Sequence, residues 1–135
     1  MDLILKGARL LDADRPTMDI GIKNGRIVTI EPDLAAQGET IDLDGRLVSS
    51  GFVETHIHLD KSCILDRCTS DRGDIEEAIR EVAKAKKAFT PEDVHARATR
   101  TLEKAILQGT THMRTHLEVD PVGGLRGLKG VQPLI

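Results

Sequence analysis

Aromatic residues are almost missing from this chain. Its 135 residues include no Trp and no Tyr, and the two Phe are Phe52 and Phe89. Aromatic side chains bury the most area per residue in ordinary cores, so a core here must be built from Leu, Ile, Val and Ala. The length corresponds to one ordinary domain.

Cysteines and long apolar runs are also scarce, and this excludes several classes of protein. Cys63 and Cys68 are the two cysteines. A single C-x4-C pair is not a zinc site without further ligands, so both are interpreted as thiols of a reducing compartment. No apolar run approaches the roughly 18 residues of a membrane span. The acidic start at Met1-Asp2 is unlike a secretion signal, which makes the cytoplasm the expected location.

The first 49 residues predict a small all-β unit. Asn-Gly at 24–25 and Asp-Gly at 44–45 stand between short apolar segments, which is a strong hairpin signal because both turn residues need a positive φ. The predicted elements are a strand over residues 3–11, a loop over 14–16, a hairpin over 19–30 and a second hairpin over 41–48.

Residues 51–60 predict a strand that ends in two histidines. Side chains two residues apart share a face of a strand, so His56 and His58 point the same way with Cβ atoms about 6–7 Å apart. Two such imidazoles can bind one ion, at about 2.0–2.1 Å if it is zinc. The apolar set on the other face is Val53, Ile57 and Leu59. The pattern fits a TIM barrel, with aliphatic residues toward the helices and histidines at the mouth; a chance pair on a surface strand is the alternative.

Two helices and a second strand follow. Residues 74–88 carry apolar residues at helical spacing, with acids at the start and lysines at the end. Thr90-Pro91 opens a second helix, and Gly109 ends it. Residues 110–119 predict a strand, and its polar face carries His112, Arg114, His116 and Glu118. Strand, helices and strand form a crossover that pairs the strands in parallel, although a half-exposed edge strand has the same pattern.

Two motifs resemble a known family. GFVETHIHLDK at 51–61 and GTTHMRTHLEVD at 109–120 are similar to the cytosine deaminase-like branch of the amidohydrolase superfamily, and the match runs over residues 50–131. Glu54 stands where the dihydroorotase and hydantoinase branch typically has Asp, which disfavours that branch. The resemblance implies an α/β fold: residues 50–135 would start a (β/α)8 TIM-type barrel with its first two β/α units, and residues 1–49 would be part of a small β-domain.

The resemblance also implies a chemistry. The barrels of this family hold one divalent ion, zinc or iron, and His56 and His58 would be two of its ligands. A metal-bound hydroxide would attack the ring of a cyclic amidine or amide such as cytosine, a glutamate would move the proton, and ammonia would leave. His116, near the predicted mouth, is a candidate substrate-binding residue; a polar packing residue of the interior is the alternative.

The chain departs from the family pattern. The remaining metal ligands and the catalytic glutamate are missing from the sequence, and catalytic zinc usually has three protein ligands. We therefore interpret residues 1–135 as the N-terminal portion of a longer amidohydrolase, a fragment that is inactive alone.

The expected partners follow from this interpretation. They are the rest of the same polypeptide, a small cyclic amine or amide and possible further copies in a homo-oligomer; a net charge of −3 gives no reason to expect nucleic acid or a membrane. Imidazole suits zinc, iron and nickel alike, so the metal stays open. The alternative function is a non-catalytic, β-rich binding module with incidental metal binding.

Overall fold

The structure is a computed structural model that describes residues 1–11 and 16–135, so most of the loop predicted over residues 14–16 lies outside the described residues. The chain divides into two units, Met1–Ser50 and Gly51–Ile135. Within the described ranges, none of the helices has the length and apolar character that crossing a bilayer would require.

The first unit is a four-stranded sheet in the order β3-β2-β1-β4. Its strands are β1 (Leu3–Ala8), β2 (Met18–Lys23), β3 (Arg26–Glu31) and β4 (Glu39–Asp42). β2 pairs antiparallel with both β1 and β3, whereas β4 pairs parallel with β1. Asn24 and Gly25 have φ values of 53° and 69°, and the first predicted hairpin is confirmed.

The second predicted hairpin is wrong. Asp44 and Gly45 do have positive φ values, but the segments on either side do not pair with each other. Gly45 N donates to Gly7 O at 2.9 Å, and Val48 N donates to Arg9 O at 2.8 Å. The edge of β1 offers main-chain donors and acceptors that must find partners. The segments before and after the Asp-Gly turn therefore pair one after the other along the edge of β1, and the turn lies between them.

A buried carboxylate organises the first unit. Its core consists of Ile4, Ala8, Ile20 and Leu34. Next to them, Asp19 is buried and accepts hydrogen bonds from Gly7 N at 2.9 Å and Leu34 N at 3.0 Å. Asp19 thus ties the end of β1 to the segment after β3.

The second unit is a parallel pair of strands joined by helices. Its elements are β5 (Phe52–Ile57), α1 (Ile75–Lys86), α2 (Pro91–Leu107), β6 (Thr110–Thr115) and α3 (Arg126–Val131). β5 and β6 pair in parallel, which confirms the predicted crossover. The core cluster consists of Leu59, Ile64, Ala85, Phe89, Val94, Ala98 and Val131. That residues 50–135 begin a (β/α)8 barrel, and that 1–49 belong to a small β-domain, remain predictions.

The two long helices begin where the sequence predicts, but they bury different kinds of residue. Asp74 caps α1 and Thr90 caps α2. The apolar residues Val94 and Ala98 of α2 are fully buried. In α1 the buried positions are Glu77, Glu81 and Ala85, and the apolar residues at helical spacing lie largely exposed.

Both strands are shorter than predicted, and Val53 does not join the apolar face. Val53 is 63% exposed, while Ile57 and Leu59 belong to or pack against the core. The pairing of β5 with β6 shifts register on either side of residues 53–54, which breaks the simple alternation. β6 ends at Thr115, so His116 and Glu118 lie in the segment that follows it.

Candidate metal and substrate site

Three imidazole rings lie together where the parallel strands β5 and β6 end. The ring centres of His56 and His58 are 5.4 Å apart, so the two side chains lie on the same side of the backbone, as their spacing predicts. The His116 ring centre is 4.1 Å from that of His56 and 5.7 Å from that of His58. The carboxyl ends of parallel strands are the usual location of sites in barrel enzymes.

Main-chain hydrogen bonds fix the segments that carry these rings. His116 N donates to Ile57 O at 2.7 Å, which extends the strand pairing by one bond beyond β6. Glu54 Oε1 accepts a hydrogen bond from His56 N at 2.8 Å. The Glu54 side chain therefore folds back onto the strand that holds the histidine pair.

The surroundings of His116 favour the neutral form of its ring. Desolvation lowers the pKa of His116, and the neighbouring charges of His56, His58 and Arg114 lower it further. A neutral imidazole has one N–H donor and one nitrogen acceptor, so this ring can make either kind of hydrogen bond.

Among the described residues, the side chains at the end of β5 that could bind a metal ion are imidazoles. His58 Nδ1 is buried and has no hydrogen-bond partner among the described residues. Within residues 1–11 and 16–135, no group of three or more His, Cys, Asp or Glu side chains is arranged to hold a metal ion. His112, predicted on the same face as His116, is exposed and contacts Thr111 Oγ1 at 3.1 Å.

A charged cluster that includes residues of the segments after β5 and β6 was not identified from the sequence. Glu118 accepts hydrogen bonds from Lys61 and, at 2.5 Å, from Lys86, and Lys86 also contacts Asp120. Lys61, followed by Lys86, lowers the pKa of Glu118. One signal was available, because the charged pair Asp60-Lys61 directly follows the histidine strand. The hydrogen-bonded partners of the cluster lie 32 to 57 residues apart along the chain and gave no local pattern.

The chain belongs to the amidohydrolase family. The family model with this description matches residues 39–130. N-isopropylammelide isopropyl amidohydrolase of Pseudomonas sp. (strain ADP) is 34% identical over 136 residues, which cover 96% of this chain and 34% of that protein. The resemblance drawn from the sequence motifs is thereby confirmed at the level of the family.

Solved structures share the fold. A crystal structure of 5-methylcytosine deaminase from Klebsiella pneumoniae with 5-fluorocytosine matches with a TM-score of 0.82 and 32% identity, over 97% of this chain and 32% of that one. Atrazine chlorohydrolase from Arthrobacter aurescens TC1, complexed with zinc, matches with a TM-score of 0.69 and 20% identity, over 96% and 32% of the two chains. The chain thus spans about a third of the length of these relatives.

Proposed function

We propose that the protein containing this chain is a metal-dependent hydrolase that breaks a C–N bond of a cyclic amidine or amide, such as cytosine. The observation that carries the proposal is the pair of imidazoles of His56 and His58, 5.4 Å apart at the end of β5. Family membership and the names of two relatives, a deaminase of 5-methylcytosine and an amidohydrolase of N-isopropylammelide, support the reaction class.

The histidine pair fits one divalent ion. Two imidazoles bound at about 2.0–2.1 Å to a tetrahedral ion have ring centres roughly 5 Å apart, close to the separation of His56 and His58. The ring nitrogen His58 Nδ1 is buried and has no partner among the described residues, and a buried polar atom of this kind normally has one. A bound divalent ion would lower the pKa of a water to about 7 and supply a nucleophile at neutral pH.

The residues of this chain would divide the remaining work. His56 and His58 hold the ion, and His116, whose ring centre lies 4.1 Å from that of His56, contacts the substrate ring through a hydrogen bond. Catalytic zinc usually has three protein ligands. We therefore assign the other ligands and the proton-carrying glutamate to the part of the protein beyond this chain.

Metal titration of the chain tests the histidine pair. We expect Co²⁺ or Zn²⁺ to bind in a 1:1 ratio, and His56→Asn and His58→Asn each to weaken binding by at least about tenfold, because each removes one of two imidazole ligands. His112→Asn is the matched control, since His112 is a histidine of the same sheet outside the three-ring group. Equal affinity in all four proteins would reject the metal site.

Assays of the longer protein test the reaction class. We expect turnover of at least one compound among cytosine, 5-methylcytosine and N-isopropylammelide, measured as release of ammonia or amine. The His58→Asn variant should show no measurable turnover. Metal binding with no hydrolysis of any ring compound would instead favour the binding-module alternative.

A further inference from the structure

The segments after β5 and β6 are joined by side chains as well as by the main chain. Leu59 N donates to Thr115 Oγ1 at 3.1 Å. In a second contact, Glu118 N donates to Asp60 Oδ2 at 2.9 Å. The second contact uses a carboxylate as acceptor, which makes a stronger hydrogen bond than a neutral group. It fixes the chain two residues beyond His116.

Asp60 is itself held firmly. Asp60 is 3% exposed, and Arg97 Nη1 donates a hydrogen bond to its main-chain oxygen at 3.1 Å. Gly127, in α3, packs so closely that an added Cβ would lie 3.2 Å from Asp60 Cβ and Oδ2. Helices α2 and α3 thus both restrict the position of Asp60.

The side chain of Glu118 is fixed from the opposite direction. Lys61 and Lys86 each donate to one of its carboxylate oxygens. Lys86 belongs to α1 and Lys61 follows Asp60 directly. Residue 118 therefore has both its main-chain amide and its side chain tied to the surrounding structure, and His116 is separated from it by Leu117 alone.

The two oxygens of the Asp60 side chain have different surroundings. Asp60 Oδ1 is buried and has no hydrogen-bond partner among the described residues. A buried polar atom left unpaired costs free energy of folding. Oδ2, in contrast, is paired, because the amide of Glu118 donates to it.

We propose that Asp60 is a positioning residue that holds the His116 ring beside the His56–His58 pair by accepting the main-chain amide of Glu118. The inference rests on the proposed function for its purpose, since His116 is the proposed substrate contact. The geometry itself can be tested without metal or substrate.

Nuclear magnetic resonance on the metal-free chain tests the positioning. In the unsubstituted chain we expect a nuclear Overhauser effect between ring protons of His56 and His116. Asp60→Ala should abolish it while core methyl signals of Val94 and Val131 stay unchanged. Asp60→Asn, which keeps a side-chain oxygen as acceptor, should retain it. Ser62→Ala is the matched control, because Ser62 Oγ donates to Leu59 O in the same turn and to Arg97 O, and not to Glu118.

Three results would overturn the proposal: an unchanged ring contact in Asp60→Ala, loss in Asp60→Asn equal to that in Asp60→Ala, or equal loss in Ser62→Ala. Amide exchange provides a test that needs no variant, should Asp60→Ala not fold. The Glu118 amide should exchange at least about tenfold more slowly than that of exposed Val119, and equal rates would also reject the proposal. A longer protein that binds no metal and hydrolyses none of the ring compounds, with these effects still present in the chain, would disprove the proposed function and leave the positioning role standing.

Discussion

At the scale of single residues, the contacts of Asp93 show how a surface carboxylate connects distant segments. Asp93 accepts two hydrogen bonds from Arg67, at 3.0 and 2.7 Å, and two from Arg97, at 3.1 and 3.0 Å. Arg97 is 5% exposed and lies with its guanidinium carbon 4.3 Å from the centre of the Phe89 ring. Asp93 is therefore the counter-charge of the buried Arg97 guanidinium. Removing the counter-charge of a buried cation is costly in stability.

This arrangement predicts a defined loss of stability in acid. Arg67, followed by Arg97, lowers the pKa of Asp93 from its ordinary 3.8 to about 2. Because the folded pKa is the lower one, the stabilisation is complete above pH 4 and is lost as the pH falls toward about 2. Its size is on the order of 2 kcal/mol. Urea unfolding should show Asp93→Asn less stable by this amount at pH 6, with the difference shrinking below pH 4.

A control helps to separate Asp93 from the other acids. Glu103→Gln, on the exposed face of the same helix, should leave the unfolding free energy within about 0.5 kcal/mol at either pH. A difference between Asp93→Asn and the unsubstituted chain that stays constant from pH 6 to pH 2.5 would contradict the explanation.

The sequence predicted the parts of the proposed site whose signal is local. His56 and His58 stand two apart on a strand, so their common side followed from the period of the strand alone. Asp60 was not identified because its partners, Arg97 and Glu118, are 37 and 58 residues away. No periodicity records a contact of that separation.

At the scale of elements, two similar turn dipeptides had different outcomes. Asn24-Gly25 forms the predicted hairpin between β2 and β3, whereas the segments around Asp44-Gly45 pair with β1. The local preference for positive φ was predicted correctly at both turns. The pairing partner of the flanking segments depended on a free strand edge elsewhere in the unit. Such an edge is a long-range feature that the turn dipeptide does not encode.

Helices α1 and α2 differ in how deeply their apolar residues are buried, and this difference can be tested by mutation. Val94 is fully buried, while Ile79 on the apolar face of α1 is 64% exposed. In the 135-residue chain, Val94→Ala should cost about 2 kcal/mol of unfolding free energy through lost burial and a cavity. Ile79→Ala should change it by no more than about 0.5 kcal/mol.

Denaturant unfolding of both variants at several protein concentrations checks this expectation. Each variant removes aliphatic carbon from a helix of the same unit, so the two serve as controls for each other. A cost for Ile79→Ala as large as that for Val94→Ala would show that the apolar face of α1 is covered in solution.

At the scale of the whole molecule, the described residues supply part of the proposed site. The sheet formed by β5 and β6 has two strands, and the outer edge of each is unpaired within residues 51–135. The site provides two proposed metal ligands, and the chain spans 34% of the amidohydrolase relative from Pseudomonas. An enclosed pocket with a complete ligand set requires more protein than these residues contain.

Activity should therefore depend on the rest of the protein and on metal together. We expect the 135-residue chain, loaded with Zn²⁺, to hydrolyse 5-methylcytosine and N-isopropylammelide no faster than Zn²⁺ in buffer, because two imidazoles neither close the metal's coordination nor exclude water. The longer protein should be active, lose activity with a chelator and regain it when Zn²⁺ is added. Turnover by the short chain at a rate comparable to the longer protein would show that His56, His58 and His116 suffice for the reaction.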